Sequence, residues 1–312
     1  MTRVGVVDLG TNSTRLLVAD VEDSSVSELN RHLEITRLGE GVDERGQLLP
    51  QAIARVRNVL VDYRRTIEEL GAERTLAFAT SAVRDAENGE AFLGEVEWSY
   101  GFATRLLSGH EEALLTFRGV AAGRELTDAT LVVDVGGGST ELVLGGPDGV
   151  SFHESFDLGC VRLSERFPSD PEGAAVYVRA ALDKGLPGPL EASTAIGVAG
   201  TVTQLATLDL GLEREEPDRV HGHRLSAETI AGQVEQLAAM PVEVIRRLRG
   251  MHPERAPVIV AGAVVVREVL SHFGLAELEV SERDIMHGAA LAAAAMPEPP
   301  EGDAPPGAFT CC

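Results

Sequence analysis

Residues 134–146 read DVGGGSTELVLGG, and residues 8–18 read DLGTNSTRLLV. Both stretches carry an acidic residue, a glycine two positions later, and a Ser-Thr pair that leads into apolar residues. A turn that is written twice, so far apart in one chain, predicts two related halves that each open with strand, bend and strand. The only charge that changes sign is Arg15, which becomes Glu141. The matched positions are Asp8 with Asp134, Gly10 with Gly136, Ser13 with Ser139, Thr14 with Thr140, and Leu16 with Leu142.

Strand patterns alternate with helical patterns along the chain, which predicts α/β layers. We expect strands at 3–8, 14–20, 27–38, 75–80, 103–107 and 277–281, and a strand in PVIVAG at the start of a helical stretch, 255–273. We expect further helices at 50–70, 88–98, 109–122, 171–184, 201–208, 227–239 and 284–296.

The pattern restarts close to residue 125, and this restart predicts a domain boundary. With 312 residues the chain has room for two domains of ordinary size. We therefore expect an N-terminal domain over 1–124 and a C-terminal domain over 125–296. The remaining stretch, 297–312, reads PEPPEGDAPPGAFTCC and is predicted to be a disordered, proline-rich tail.

Composition narrows the classes of partner. The net charge of −22 disfavours a nucleic acid polymer as partner, although a pocket can differ in sign from the surface. No apolar run is long enough for a membrane span, and the N-terminus lacks the layout of a signal peptide. The cysteines are Cys160, Cys311 and Cys312, which implies no disulfide framework. We expect a cytoplasmic protein with neither a membrane nor a nucleic acid partner.

The glycine run 136–138 could belong to a dinucleotide-binding turn, but that turn needs a helix directly after the glycines. Here STELVLGGP follows, which favours a strand, and the chain has no G-K-[ST] of a P-loop. The segment is therefore predicted to be a hairpin whose side-chain-free backbone at Gly136, Gly137 and Gly138 offers N–H groups to an anion. Asp134 and Glu141 flank the bend, and carboxylates beside a phosphate cradle are typical of a Mg²⁺ site.

Six motifs follow one another between residues 3 and 296: VVDLGTNSTRLLVAD, FATSAVRDAEN, LLSGHEEALLTFRGV, LVVDVGGGSTELV, ESFDLGCVRL and VAGTVTQLA. Their order resembles that of the exopolyphosphatase/guanosine pentaphosphate phosphohydrolase (Ppx/GppA) family. The resemblance implies two duplicated actin-like (ribonuclease H-like) domains that flank a cleft. It also implies hydrolysis of the terminal phosphoanhydride of inorganic polyphosphate, releasing orthophosphate.

The family carries its general base on one of two adjacent glutamates in SGHEEALLTFRGV. Ser108 and Glu111 fit a capping box, which would engage Glu111 at the helix start. Glu112 lies about 100° further round the helix and is free to enter a cleft. The family pattern also places the base on the second glutamate, so the resemblance implies Glu112 as the catalytic residue.

The resemblance also implies the residues that hold phosphate and metal. Mg²⁺, or Mn²⁺, would be held by Asp134 and Glu141, with Asp8 as a third candidate. The implied phosphate-binding residues are Asn12, Ser13, Arg84, Gly136, Gly137, Gly138 and Ser139.

Three alternatives stay open. Guanosine pentaphosphate could replace polyphosphate as substrate, and the lack of the helical domain of longer family members favours a short chain or a nucleotide. An ATP-dependent sugar or acid kinase would need an acceptor, and a nucleotide-sensing module would have lost catalysis. Orthophosphate release without an acceptor would separate these classes. The sequence is also compatible with a homodimer.

The stretch 198–206, VAGTVTQLA, matches the turn that cradles adenosine in ATP-binding relatives. It could lie near a nucleotide or a longer chain, or it could be an ordinary strand-to-helix turn. Thr201 and Gln204 have the spacing of a second capping box, which predicts that the helix starts there.

Overall fold

The computed structural model describes residues 1–124, 126–188 and 190–297. The chain forms two compact units. The first unit consists of Met1–Gly123 together with the segment from Ile285, and the second unit is Arg124–Asp284. The expected proline-rich tail lies, after Pro297, outside the described residues. Within the described ranges, no helix is both long enough and apolar enough to cross a membrane.

The first unit contains, in chain order, β1 (Thr2–Leu9), β2 (Thr14–Glu22), β3 (Ser25–Glu34), α1 (Val42–Arg45), α2 (Pro50–Leu70), β4 (Arg74–Ala79), α3 (Ser81–Arg84), α4 (Gly89–Tyr100), β5 (Ala103–Leu106) and α5 (Gly109–Ala121). Those that follow are β6 (Thr130–Val135), β7 (Thr140–Gly146), β8 (Gly149–Phe156), α6 (Cys160–Arg166), α7 (Pro171–Gly185), β9 (Thr194–Val198), α8 (Ala199–Asp209), α9 (Pro217–Val220), β10 (Arg224–Ser226), α10 (Ala227–Ala238), α11 (Val242–Ile245), α12 (Ile259–Phe273), β11 (Glu277–Val280) and α13 (Ile285–Ala294).

The two units repeat one sheet topology. The first sheet has the order β3-β2-β1-β4-β5, and the second, read from its β8 edge, has the order β8-β7-β6-β9-β11 with β10 added. The two strands that come first along the chain in each unit, β1 with β2 and β6 with β7, form an antiparallel hairpin. On its other side, β1 pairs in parallel with β4, and β6 pairs in parallel with β9. The duplication predicted from the two hairpin sequences is therefore confirmed at the level of the fold.

Alternation along β1 explains why the first sheet is covered on both faces. Val7 and Leu9 pack in a core with α2, whereas Val4 and Val6 pack in a second core with α13. Because neighbouring side chains of a strand point to opposite faces, a strand that is apolar throughout requires a helical layer on each side. The second unit has a separate core that joins its strands to α7, α8, α10 and α12.

Helix α13 packs on a different unit from the one expected. The sequence predicts that residues 285–296 belong to the second domain, but Ile285 and Met286 are buried against β1 and β2 of the first unit. Gly288 allows this approach, because a Cβ there would lie 1.9 Å from the Leu115 carbonyl oxygen of α5. The amphipathic pattern predicted the helix, but it carries no information about which sheet the helix covers.

Two local predictions are wrong. PVIVAG does not form a strand, since α12 is helical from Ile259 onward, and a short β-branched run does not distinguish a strand from a buried helix. Helix α8 begins at Ala199 and not at a Thr201 cap, and Gln204 instead bonds the backbone of Gly250 and His252. The strands β8, β9 and β10 and the helix α6 were not predicted.

Candidate active site

The first hairpin bend lies between β1 and β2, and its carbonyl groups accept hydrogen bonds from the loop that follows β3. The carbonyl oxygens of Thr11 and Asn12 accept hydrogen bonds from the N–H groups of Gly39 and Arg37, at 2.8 and 2.9 Å. In a trans peptide the next N–H points away from the carbonyl. The N–H groups of Asn12 and Ser13 therefore face away from that loop, and they donate to no acceptor in the described part of the chain.

The second bend repeats this arrangement between β6 and β7. Gly10 N–H donates to Ser13 O at 3.0 Å, and Gly136 N–H donates to Ser139 O at the same distance.

The carbonyl oxygens of the second bend accept from the start of α6. Cys160 N–H donates to Gly136 O, and Val161 N–H donates to Gly137 O. Among the described residues, the N–H groups of Gly137 and Gly138 have no acceptor. Both bends therefore expose the kind of N–H row that binds oxyanions.

The two hairpins differ in the charge of one opposed pair. Asp8 lies opposite Arg15 in the ladder, and the Arg15 Nη2 to Asp8 Oδ2 distance is 2.7 Å. At the equivalent positions Asp134 lies opposite Glu141, and both are buried. Opposed residues of an antiparallel pair share one face, so the second hairpin brings two carboxylates together. Ser155 Oγ donates to Glu141 Oε1 at 2.7 Å.

The pair formed by Asp134 and Glu141 fits a magnesium ion by its donor chemistry. Mg²⁺ is usually bound through one or two carboxylates, with water and substrate phosphate oxygens completing its shell. Within the described ranges, no group of three or more His, Cys, Asp or Glu side chains could hold a metal ion. Two buried carboxylates beside a row of N–H groups therefore suit a metal that the substrate helps to bind. Asp8 is in an ion pair with Arg15, and its role as a third ligand stays a prediction.

The structure brings Arg84 and Glu112 together. Arg84 Nη1 donates to Glu112 Oε1 at 2.6 Å and to the Leu107 carbonyl oxygen at 2.7 Å. Glu112 is only 5% exposed, and the Arg84 side chain is 29% exposed. The predicted base and the predicted phosphate-binding arginine thus form one ion pair in the first unit, with the arginine the more accessible partner.

The capping box at the start of α5 is confirmed and fixes where Glu112 lies. Ser108 Oγ accepts from the Glu111 N–H, and the Glu111 carboxylate accepts from the Ser108 N–H at 2.9 Å and its hydroxyl at 2.8 Å. The Ser108 backbone N–H and then its hydroxyl lower the pKa of Glu111. Glu111 is therefore used in the cap, and Glu112 is the glutamate that points into the protein.

In the first unit, the candidate residues gather at the carboxyl edge of three parallel strands. The bend follows β1, Arg84 lies in the short α3 after β4, and Glu112 lies in α5 after β5. Thr11 Oγ1 and Ser81 Oγ, 2.9 Å apart, tie the bend to α3. This edge is where open α/β sheets bind ligands.

Gly159 supports the second bend and was not predicted from the sequence. A Cβ at Gly159 would lie 2.1 Å from the Gly137 carbonyl oxygen, so only glycine lets the start of α6 approach the bend. An isolated glycine before a helix signals a close backbone approach, but the sequence does not name the backbone it approaches.

Two repeated α/β domains, each with a hairpin bend at the carboxyl edge of its sheet, define a duplicated actin-like fold. The Ppx/GppA phosphatase family matches residues 17–294. The chain belongs to this family.

Exopolyphosphatase 2 of Mycobacterium tuberculosis is 39% identical, over 94% of this chain and 99% of that protein. The crystal structure of the Aquifex aeolicus member of the Ppx/GppA family is 30% identical with a TM-score of 0.80, covering 93% of this chain and 97% of that one. A guanosine-5'-triphosphate,3'-diphosphate pyrophosphatase of Photobacterium profundum is 27% identical, over 90% of this chain and 57% of that protein.

Proposed function

We propose that the protein is an exopolyphosphatase that removes the terminal phosphate of inorganic polyphosphate. The observation that carries the proposal is the second hairpin, where two opposed, buried carboxylates lie beside a bend with outward-facing N–H groups. A phosphoanhydride chain offers an anion to the bend and oxygen ligands to a cation held by the carboxylates. The similarity to Exopolyphosphatase 2 over nearly its whole length supports this substrate class.

The first unit holds the groups proposed for proton transfer and for binding of the phosphoryl oxygens. In the first unit, Glu112 accepts a proton from the attacking water, and Arg84 binds an oxygen of the phosphoryl group. The N–H groups of Asn12 and Ser13 bind phosphate oxygens. Since the chemistry of phosphoryl transfer is mostly positioning and charge stabilisation, the fixed partners of Glu112 are as important as its basicity.

In the second unit, the N–H groups that follow Gly136 hold the phosphate chain, and Asp134 and Glu141 would hold Mg²⁺ or Mn²⁺. When bound, this ion neutralises charge that develops on the phosphoryl oxygens. Ser155 fixes the orientation of the Glu141 carboxylate by donating its hydroxyl proton. We further propose a cytoplasmic location, which is consistent with membership of this family.

Guanosine pentaphosphate is the second candidate substrate, and the similarity to the Photobacterium profundum pyrophosphatase favours it. Both substrates present a terminal phosphoanhydride to the same groups. The test compares initial rates of orthophosphate release from tripolyphosphate, long-chain polyphosphate and guanosine pentaphosphate, with Mg²⁺ or Mn²⁺ and with a chelator. Metal-dependent release without an acceptor supports a hydrolase. Consumption of a substrate only when a sugar or acid acceptor is added, with the phosphoryl group transferred to that acceptor, or no release from any substrate, would refute the proposal.

A further inference from the structure

The three glycines of the second bend leave its peptide planes free to rotate unless something outside the bend fixes them. Glycine has the widest choice of backbone conformation, and each freely rotating peptide can turn its N–H away from a bound anion. Gly136, Gly137 and Gly138 do not adopt left-handed φ values, so a left-handed turn does not fix their peptide planes. Their orientation must come from contacts with the rest of the unit.

The start of α6 fixes the first two peptides. The N–H groups of Cys160 and Val161 donate to the carbonyl oxygens of Gly136 and Gly137, at 2.9 and 2.8 Å. N–H groups at the start of a helix have no acceptor inside the helix, and here the carbonyl oxygens of the bend accept their hydrogen bonds. Helical N–H groups do not reach the third peptide, between Gly138 and Ser139.

A side chain of α6 holds this third peptide. Arg162 Nε donates to the Gly138 carbonyl oxygen at 2.9 Å, and the Arg162 side chain is 16% exposed. Because the peptide is trans, the N–H of Ser139 points to the side opposite Arg162. The guanidinium thus lies behind the bend, and the N–H lies on the side that can receive a phosphate.

We infer that Arg162 is a positioning residue for phosphate binding. It holds the Gly138–Ser139 peptide so that the Ser139 N–H joins those of Gly137 and Gly138 in one row. The inference rests on the proposed function, since it names a residue that prepares the proposed phosphate cradle. Arg162 acts through the Gly138 carbonyl group.

Two substitutions of Arg162 distinguish orientation of the peptide by a hydrogen bond from attraction of phosphate by the positive charge. Gln places its side-chain amide nitrogen at the same distance along the chain as Arg Nε, so R162Q can donate to Gly138 O without a positive charge. R162M removes both the donor and the charge while keeping the apolar stem. If positioning is the role, R162Q keeps near-normal binding and R162M does not.

Arg166 supplies a matched control from the same helix. Its guanidinium carbon lies 4.3 Å from the centre of the Tyr177 ring, and its Nη1 donates to the Tyr177 hydroxyl at 2.9 Å. R166M therefore removes a packed arginine of α6 that has no contact with the bend. Comparable unfolding temperatures of R162M and R166M would show that the two changes disturb the helix equally.

The experiment measures kcat and KM for tripolyphosphate with Mg²⁺, and tripolyphosphate binding by calorimetry, for the full chain and the three variants. We expect R162M to raise KM and weaken binding by about tenfold or more, the loss typical of a hydrogen bond to a charged group. We expect kcat to change little, because the bend binds substrate and transition state alike. R162Q should stay within about threefold of the wild type, as expected when the bond is kept.

Two results would overturn the inference while leaving the proposed function intact. The first is an active wild type with R162M equal to R166M in KM and in binding. The second is an R162Q variant as weak as R162M, which would assign the effect to charge. A wild type that hydrolyses none of the substrates would instead refute the proposed function, and calorimetry with tripolyphosphate would still test the role of Arg162.

Discussion

Arg84 Nη1 lies 2.6 Å from Glu112 Oε1, and this short ion pair joins α3 to the first turn of α5. The carboxylate is almost fully buried, and the guanidinium is the more accessible of the two groups. An arginine has several donors in one plane, so Arg84 can bind a phosphate oxygen with one edge while another edge stays on Glu112. A phosphate bound in this way would be connected, through Arg84, to the position of the proposed base.

Replacing Glu112 by Gln keeps the size of the side chain and removes its ability to accept a proton at neutral pH. We expect E112Q to lower kcat for orthophosphate release by at least ~10², in line with the loss of a general base. Steady-state assays on polyphosphate measure this change. E111Q is the matched control, because Glu111 is the capping residue next to Glu112, and its rate should stay within about threefold of wild type. An E112Q variant that is folded and has a normal kcat would exclude Glu112 as the base.

The opposed pair of the second hairpin predicts the metal dependence. E141Q removes one of the two carboxylates, and we expect it to weaken Mn²⁺ binding, measured by calorimetry, and to lower turnover by at least ~10². E154Q is the control, since Glu154 is exposed on the adjacent strand β8. Chelation of the metal should abolish the activity of the wild type.

The first hairpin suggests a sharper version of this test. E141R would place an arginine opposite Asp134, as Arg15 is placed opposite Asp8. Because that ion pair exists in the first unit, we expect E141R to fold while it binds no Mn²⁺. Retained metal binding in E141R would show that the opposed carboxylates are not the metal site.

The parts of the fold that local patterns could predict are those with strong periodicity or a repeated motif. The hairpins, α2 with its Gly71 cap, and α5 with its capping box all occur where the sequence predicts them. Contacts between distant segments could not be predicted in this way. The position of α13 on the first unit depends on Gly288 and on which sheet offers an apolar face, and neither has a local signature.

The same distinction applies to the candidate site. Asp134 and Glu141 could be placed opposite each other from the sequence alone, since the hairpin register follows from a short bend. The ion pair of Asp8 with Arg15 follows from the same register, yet Asp8 was predicted only as a metal ligand. Gly159 and Arg162 act on the bend across a tertiary contact, and only the structure reveals it.

A methyl group at position 159 should damage the second bend. G159A would put a Cβ 2.1 Å from the Gly137 carbonyl oxygen, so either α6 or the bend must move. We expect KM for tripolyphosphate to rise by about tenfold or more, as N–H donors to a charged ligand lose their alignment.

G232A is the control for this substitution, because in the described part of the chain nothing beyond the adjacent helix backbone lies within 4 Å of the added methyl in α10. In a helix interior, Gly to Ala raises the free energy of unfolding by up to about 1 kcal/mol. Equal KM values for G159A and G232A would contradict the close packing of α6 on the bend.

The capping box predicts a pH-dependent contribution to stability. The pKa of Glu111 is lowered in the folded protein, chiefly by the Ser108 N–H, so the carboxylate stabilises the fold above its unfolded pKa. This contribution is lost as the pH falls through the folded pKa. We expect S108A to reduce the free energy of unfolding by about 1 kcal/mol at neutral pH. Because S108A keeps the backbone N–H, the titrating part is measured with E111Q. Urea unfolding of E111Q and wild type is compared at neutral and acidic pH, and a difference that does not shrink in acid would contradict the assignment.

Cys160 should be unreactive in the folded protein although it lies beside the bend. Burial raises the pKa of its thiol to about 11, outweighing a hydrogen bond with Thr201 that acts in the opposite direction. Since the thiolate is the nucleophile, very little of Cys160 is reactive at mildly alkaline pH. The raised pKa also means that the neutral thiol stabilises the fold below the unfolded pKa, and that this is lost as the pH rises through the folded value. In a C311S/C312S variant, where Cys160 is the remaining cysteine of the chain, a thiol reagent should react slowly until denaturant is added. Rapid reaction under native conditions would mean that the contact between α6 and α8 opens readily, and the bend that α6 holds would then lack a fixed support.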